Sequence, residues 1–154
     1  MDEIKTGDMA PEFSIRDSNE KETCLSVFKG TKIILYFYPK DNTPGCTLEA
    51  VSFTEKLKEF EDLDAIVIGI SPDSCESHRK FSRKHNIGFI LLSNPEHDVL
   101  KSYNVWKPKK MFGKEFLGVE RSTFLIDENG IIKKIWRKVK VKGHAEEVLK
   151  ELKS

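Results

Sequence analysis

Long apolar runs are missing from this sequence, and no window approaches the length that a bilayer span requires. The opening residues, Met1-Asp2-Glu3-Ile4-Lys5, carry no apolar signal region, so a cytoplasmic protein is expected. Net charge is missing too: 26 Lys and Arg oppose 25 Asp and Glu, leaving +1 although 33% of residues are charged. Such a balance argues against a protein that lives on nucleic acid or an anionic membrane, and suits small molecules or transient protein partners. Cysteine is scarce. Three thiols, an odd number without a secretion signal, read as reduced thiols with chemistry of their own and not as a disulfide scaffold. No repeat, low-complexity tract or linker interrupts the chain. What is left is 154 residues, 38% of them hydrophobic, enough to bury a core, and one domain spanning 1–154 is expected.

The most informative stretch runs from Tyr38 to Ala50, where a cysteine sits between a strand and a helix. Ile33-Ile34-Leu35-Tyr36-Phe37-Tyr38 is continuous, aromatic and β-branched, as a strand covered on both faces should be, and Pro39 stops it. Beyond the loop, Ala50, Val51, Phe53, Leu57 and Phe60 fall on a helical stripe, with Glu49, Glu55, Lys56, Lys58 and Glu59 assigned to the solvent side. Cys46 then lies in the first helical turn. Unpaired backbone N–H groups and the positive end of the helix dipole favour an anion there, which biases the thiol toward reactive thiolate. Free cysteine is commonly a small buried hydrophobe, but a position after Pro44-Gly45 at a loop–helix junction is a poor place for core filling.

Residues 12–17 and 22–25 read as a short hairpin, 26–30 as one helical turn closed by Gly30, and 65–70 as a second apolar strand. With a whole helix between them, the strands at 33–38 and 65–70 form a βαβ unit and should be parallel. Ser71-Pro72-Asp73-Ser74 offers N-caps for a helix to about Asn86 with Phe81 inward. A strand at 89–92, a helix at 95–103, a long loop or irregular β excursion at 104–120, a hairpin at 121–136 around Asn129-Gly130, and a helix at 145–153 complete the chain. This order is that of an α/β thioredoxin-like fold, a mixed central sheet flanked by helices, with an N-terminal β-hairpin extension.

Thr43-Pro44-Gly45-Cys46 looks like the thioredoxin active-site tetrapeptide with its first cysteine replaced by threonine. The longer pattern Pro39-x-x-x-Thr43-x-x-Cys46 is similar to the active-site signature of peroxiredoxins, and Arg121 matches the arginine that completes that site. Val105-Trp106, Phe112-Gly113-Lys114 and the run from Arg121 to Asp127 resemble the peroxiredoxin Q branch, also called bacterioferritin comigratory protein. The likeness covers nearly the whole chain. It implies a thiol peroxidase reducing hydrogen peroxide and organic hydroperoxides without metal, flavin or haem, recycled by a thioredoxin-like reductant, as a monomer or weak homodimer. It assigns Cys46 as nucleophile, Thr43 as the hydroxyl bonded to substrate and thiolate, Arg121 as the cation serving the thiolate and peroxide, and Pro39 as the shield. Two rivals remain. One is a thioredoxin-fold binding or chaperone module whose cysteine senses redox state, and the other is a thiol–disulfide oxidoreductase, which Thr43 disfavours because no vicinal dithiol exists.

A sulfenic acid product needs a second thiol. Family members place it five residues after the first, here Val51, or on the next helix at a position aligned with Ser82. Neither is cysteine. Cys75, two turns before Ser82 on the same helical face, is the resolving candidate, and a residue packing under the helix is its plainer reading. Cys24, alternating with Leu25, reads as a packing residue. His78, His85, His97 and His144 lack the tight spacing of a metal site and read as surface histidines. The basic run 133–142 reads as a solvated strand face.

Overall fold

The computed structural model describes residues 3–154. Strands β1 (Ser14–Asp17), β2 (Glu22–Cys24) and β3 (Lys32–Phe37) lead into helices α1 (Pro44–Glu55) and α2 (Leu57–Asp62). Strand β4 (Ala65–Ser71), helix α3 (Cys75–His85), strand β5 (Ile90–Ser93) and helix α4 (Asp98–Ser102) follow. Strands β6 (Trp106–Met111), β7 (Lys114–Val119), β8 (Ser122–Ile126) and β9 (Ile132–Trp136) precede the closing helix α5 (His144–Lys153). Seven strands form one sheet in the order β2-β1-β5-β4-β3-β8-β9, in which β3, β4 and β5 are parallel and the others antiparallel to their neighbours. This is the expected mixed sheet with its N-terminal hairpin.

The continuous apolar run of β3 is buried on both faces because its alternate residues feed two cores. Ile34 and Tyr36 join Ala50, Phe53, Phe81, Val148 and Leu149 from α1, α3 and α5. Ile33, Leu35 and Phe37 join Val99, Leu100 and Tyr103 on the other side. Ala50 and Phe53 have no exposure, and the Phe53 ring stacks on Tyr36 at 4.9 Å. Burial of a large apolar side chain contributes about 1.5–3 kcal/mol, so α1 is pressed onto the sheet with a fixed rotation. That rotation decides where Cys46 points. The starts of α1 and α3 meet the carboxyl ends of β3 and β4, the place where open α/β sheets gather their chemistry.

Four expectations are corrected. The helical stripe after Cys46 is broken at Lys56, whose backbone leaves helical geometry between α1 and α2. The helix expected over 95–103 begins only at Asp98, because His97 adopts a left-handed φ of 67° and the Asn94 side chain accepts from the Val99 and Leu100 amides. Residues 104–120 form a regular two-stranded sheet of β6 and β7, turning at Phe112 and Gly113 with φ of 52° and 77°. A two-residue turn with both φ positive is the preferred hairpin link, although Phe-Gly is not the usual pair for it. Arg121 precedes β8, which opens at Ser122.

Candidate active site

Pro44 occupies the first position of α1, where a missing N–H costs nothing, and Thr43 is the N-cap. Cys46 is thus the third helical residue, with no side chain capping the amides of that turn. Cys46 is 1% exposed and belongs to the same buried cluster as Tyr36, Tyr38 and Phe53. Arg121 Nη2 donates to Cys46 Sγ at 3.3 Å, across 75 residues of sequence. The approach is close enough that a Cβ on Gly45 would lie 3.3 Å from the same nitrogen, so glycine there leaves the guanidinium its path. A cation and a helix N-terminus therefore converge on one buried sulfur.

Arg121 is itself aimed by Glu49, whose Oε1 accepts from Nη1 at 2.6 Å. Glu49 is 1% exposed, which corrects its assignment to the solvent side of α1. It stands three residues after Cys46, on the same helical face, and that spacing was the one signal the sequence held for it. Burial pushes the Glu49 carboxyl up to about 7 against the opposing pull of Arg121. Its Oε2 and the Tyr36 hydroxyl are buried polar atoms without a partner among the described residues. Lys109 on β6 brings a second cation toward this region. Burial, with Arg121 beside it, pulls the Lys109 amine below the ordinary lysine range.

Thr43 Oγ1 donates to the Lys40 carbonyl at 2.8 Å, which leaves the hydroxyl oxygen able to accept. Pro39 follows the buried Tyr38 and is half-buried. Between them, Asp41 ties the loop to the start of α3. Its carboxylate accepts from Tyr38 Oη at 2.6 Å and Ser77 Oγ at 2.8 Å and meets His78 Nδ1 at 2.7 Å. Its backbone N–H donates to Asp73 at 2.8 Å. His78 is fully buried and His144 is 3% exposed, which corrects the surface reading of these two histidines. His144 Nε2 meets Thr123 Oγ1 at 2.8 Å on the α5 side of the sheet. Asp41, Asp73 and His78 hold ligand atoms within 4.8 Å of one another, the one group among the described residues with that property. Protein donors already engage those carboxylate oxygens, so the cluster serves as a hydrogen-bonded joint.

Cys75 opens α3 directly after Ser74, whose side chain caps the Ser77 amide. All three thiols are free, and Cys75 is half-buried on a groove of about 670 Å³. Cys24 ends β2, half-buried, with its Sγ 3.3 Å from Ser14 Oγ, so it lies outside the core that its packing reading required. The structure therefore brings Cys46 and Arg121 together, keeps Thr43 at the cap of the Cys46 helix and Pro39 just past the end of β3, and places Cys75 on a separate helix joined to the same loop.

Residues 6–135 match the family model of the AhpC/TSA family. The chain is 52% identical over 150 residues to a peroxiredoxin Bcp of Bacillus subtilis, covering 97% of this chain and 96% of that one. Among solved structures, a peroxiredoxin Q from Xylella fastidiosa superposes with a TM-score of 0.93 at 39% identity, covering 99% and 98% of the two chains. A bacterioferritin comigratory protein from Xanthomonas campestris, studied for alkyl peroxide reduction, gives a TM-score of 0.87 at 42% identity, covering 92% and 90%. With a thiol at a helix N-terminus, an arginine on its sulfur, and likeness along nearly the full length, the chain belongs to the AhpC/TSA family, in its peroxiredoxin Q branch, and is a thiol-dependent peroxidase.

Proposed function

We propose that Cys46 is the peroxidatic nucleophile, that Thr43, Arg121 and Pro39 complete its site, and that Cys75 resolves the oxidised sulfur. The observation that carries this reading is the Arg121 guanidinium, bonded to Cys46 Sγ through one nitrogen and to Glu49 through the other. The thiolate attacks the nearer oxygen of ROOH, the O–O bond breaks, and the departing RO⁻ takes a proton to leave as ROH. Cys46 keeps the other oxygen as sulfenic acid. Arg121 holds its donors where negative charge spreads over sulfur and both oxygens in the transition state, the kind of contribution worth about 2.7–4 kcal/mol per donor. Thr43, spent on Lys40 as a donor, retains lone pairs that accept from the O–H of an incoming hydroperoxide. Pro39 adds apolar surface without an N–H that would hold water.

The substrates are hydrogen peroxide and small organic hydroperoxides, in keeping with the alkyl peroxide reduction studied in the Xanthomonas relative. Cys75 displaces the sulfenic oxygen as water, and a thioredoxin-like dithiol returns two electrons to the Cys46–Cys75 disulfide. A single domain over 1–154, in the cytoplasm, as a monomer or weak homodimer, completes the reading. The test is peroxide consumption with a dithiol donor, followed in parallel by intact mass after one equivalent of peroxide. A gain of 16 Da or loss of two hydrogens confined to Cys46-containing species is expected. Oxidation beginning at Cys24 or Cys75 would overturn the assignment.

A further inference from the structure

The joint at Asp41 lies on a peculiar line between the two cysteines. Asp41 is five residues before Cys46, and its partners Asp73 and Ser77 lie two residues to either side of Cys75. The joint is buried: Asp41 is 5% exposed and His78 not at all. His78 Nε2 faces the Leu92 carbonyl at 2.9 Å, and a carbonyl only accepts, so this nitrogen carries a proton. The 2.7 Å contact of Nδ1 with the Asp41 carboxyl closes the joint from the other side of the ring. The loop just beyond has the opposite character. Asn42 is exposed with a left-handed φ of 63°, and the first turn of α1 has no side-chain cap. Opening is therefore cheap on the Cys46 side of Asp41 and costly at Asp41 itself.

We propose that Asp41 is a positioning residue for the resolving step, a fixed pivot that keeps the opened Cys46 segment fastened to the helix carrying Cys75. When the first turn of α1 unwinds at Asn42, Cys46 moves on a five-residue tether whose reach is about 17 Å at ~3.4 Å per residue. The tether is rooted on both sides of Cys75. Encounter of the two sulfurs becomes an intramolecular search at a high effective concentration. The bond that forms is S–S; the sulfenic S–O bond breaks, and its oxygen leaves as water with the Cys75 proton. No further oxidant is needed, since the peroxide has already accepted its two electrons. This inference rests on the reading of Cys75 as resolving thiol.

Rapid-mixing fluorescence with quenched mass spectrometry separates Cys46 oxidation from disulfide formation. In Asp41→Asn, disulfide formation should slow by about tenfold, as expected of losing buried hydrogen bonds, while Cys46 oxidation stays within about threefold. Overoxidation to sulfinic acid should rise as the sulfenic acid waits. Ser77→Ala, which removes a single donor at a half-buried position, should slow the same step by a smaller factor and guards against a folding defect in Asp41→Asn. Disulfide formation at the unmodified rate in both variants, or an equal slowing of both steps, would overturn the pivot. Hydrogen exchange on the protein carrying oxidised Cys46 reads the pivot without any disulfide. Amides of 43–50 should exchange while those of 73–78 stay protected, and joint exchange of the two segments would refute it. If the unmodified protein forms no Cys46–Cys75 bond at all, the resolving role fails, and the exchange pattern still decides the pivot.

Discussion

Cys46 and Cys75 occupy matching places in the fold, each in the first turn of a helix that follows a parallel strand of the central sheet. Their surroundings share little. Cys46 is 1% exposed, shares a buried cluster with Tyr36, Tyr38 and Phe53, and accepts from the Arg121 guanidinium. Cys75 is half-buried beside a groove where Glu20, Glu22, Glu76, Glu96 and Asp98 outnumber the lone Arg16. A helix N-terminus is common to both, so it does not by itself make a peroxidase thiol. What separates them is a cation fixed on the sulfur, supplied by the residue just before β8, and burial against the sheet. A half-exposed sulfur among carboxylates suits the later role, because a resolving thiol must meet a sulfenic acid and then a reductant arriving from solvent.

The contrast breaks most completely if Cys46 is removed. Cys46→Ser should abolish peroxide turnover while far-UV circular dichroism and thermal unfolding stay close to those of the unmodified protein. Residual peroxidase activity would transfer the nucleophile to Cys75 or Cys24. Arg121→Lys comes next. An ammonium cannot bridge Cys46 and Glu49 with two parallel donors, so the rate of Cys46 oxidation should fall by about 10²-fold. The rate of alkylation at Cys75, far from that guanidinium in role, should stay as it was. If Arg121→Lys oxidises at the unmodified rate, the cation does not distinguish the two thiols.

Glu49 sharpens the comparison through pH. Its folded carboxyl is raised to about 7, above the value near 4.5 of an unfolded chain. A raised carboxyl contributes stability that is fully present below about 4.5 and lost as pH climbs through about 7. Glu49→Gln removes the titration. Between pH 5 and pH 8 the stability difference should therefore move toward the variant by up to about 3 kcal/mol, whatever its offset at pH 5. The rate of Cys46 oxidation should drop about tenfold, since an amide orients the guanidinium more weakly than a carboxylate. Thermal unfolding across that pH range decides the first statement, and a constant offset would refute it.

Much of this architecture was legible because local signals agreed with one another. The apolar run of β3 and Asn129-Gly130 between β8 and β9 each carry one meaning, and the structure uses them so. Cys46 was legible for the same reason. Arg121 was not, except through resemblance, because the sequence holds no local trace of a contact made across 75 residues. Glu49 was misplaced because a charged residue on an amphipathic helix is assigned to solvent by default, and only its partner makes burial tolerable. His78 reads as a surface histidine by the same default, and its tie to Asp41 forms between the loop after β3 and helix α3, 37 residues apart in sequence. The hairpin of β6 and β7 was obscured by lysines on both faces and by a Phe-Gly turn.

Cys75→Ser should leave the first oxidation of Cys46 untouched, which makes it the smallest effect on that step and the clearest on the next. Cys75 lies on another helix and makes none of the contacts that hold the Cys46 sulfur, so peroxide should react with Cys46 at its ordinary rate. The product then changes. With no second thiol on α3, sulfenic acid persists until an added monothiol caps it as a mixed disulfide or excess peroxide carries it to sulfinic acid. Cys24 is a poor substitute, since its sulfur lies at the end of β2 against Ser14 and, among the described residues, no hydrogen bond joins that strand to the Cys46 loop as Asp41 joins α3. Peptide mapping of peroxide-treated protein distinguishes these products. A Cys46–Cys75 disulfide in the unmodified chain, replaced by sulfenic acid in Cys75→Ser, fits two thiols with divided roles. Sulfenic acid or mixed disulfide in both proteins, with Cys75 free throughout, would mean that one cysteine does all of the chemistry and that the half-exposed thiol plays no part in it.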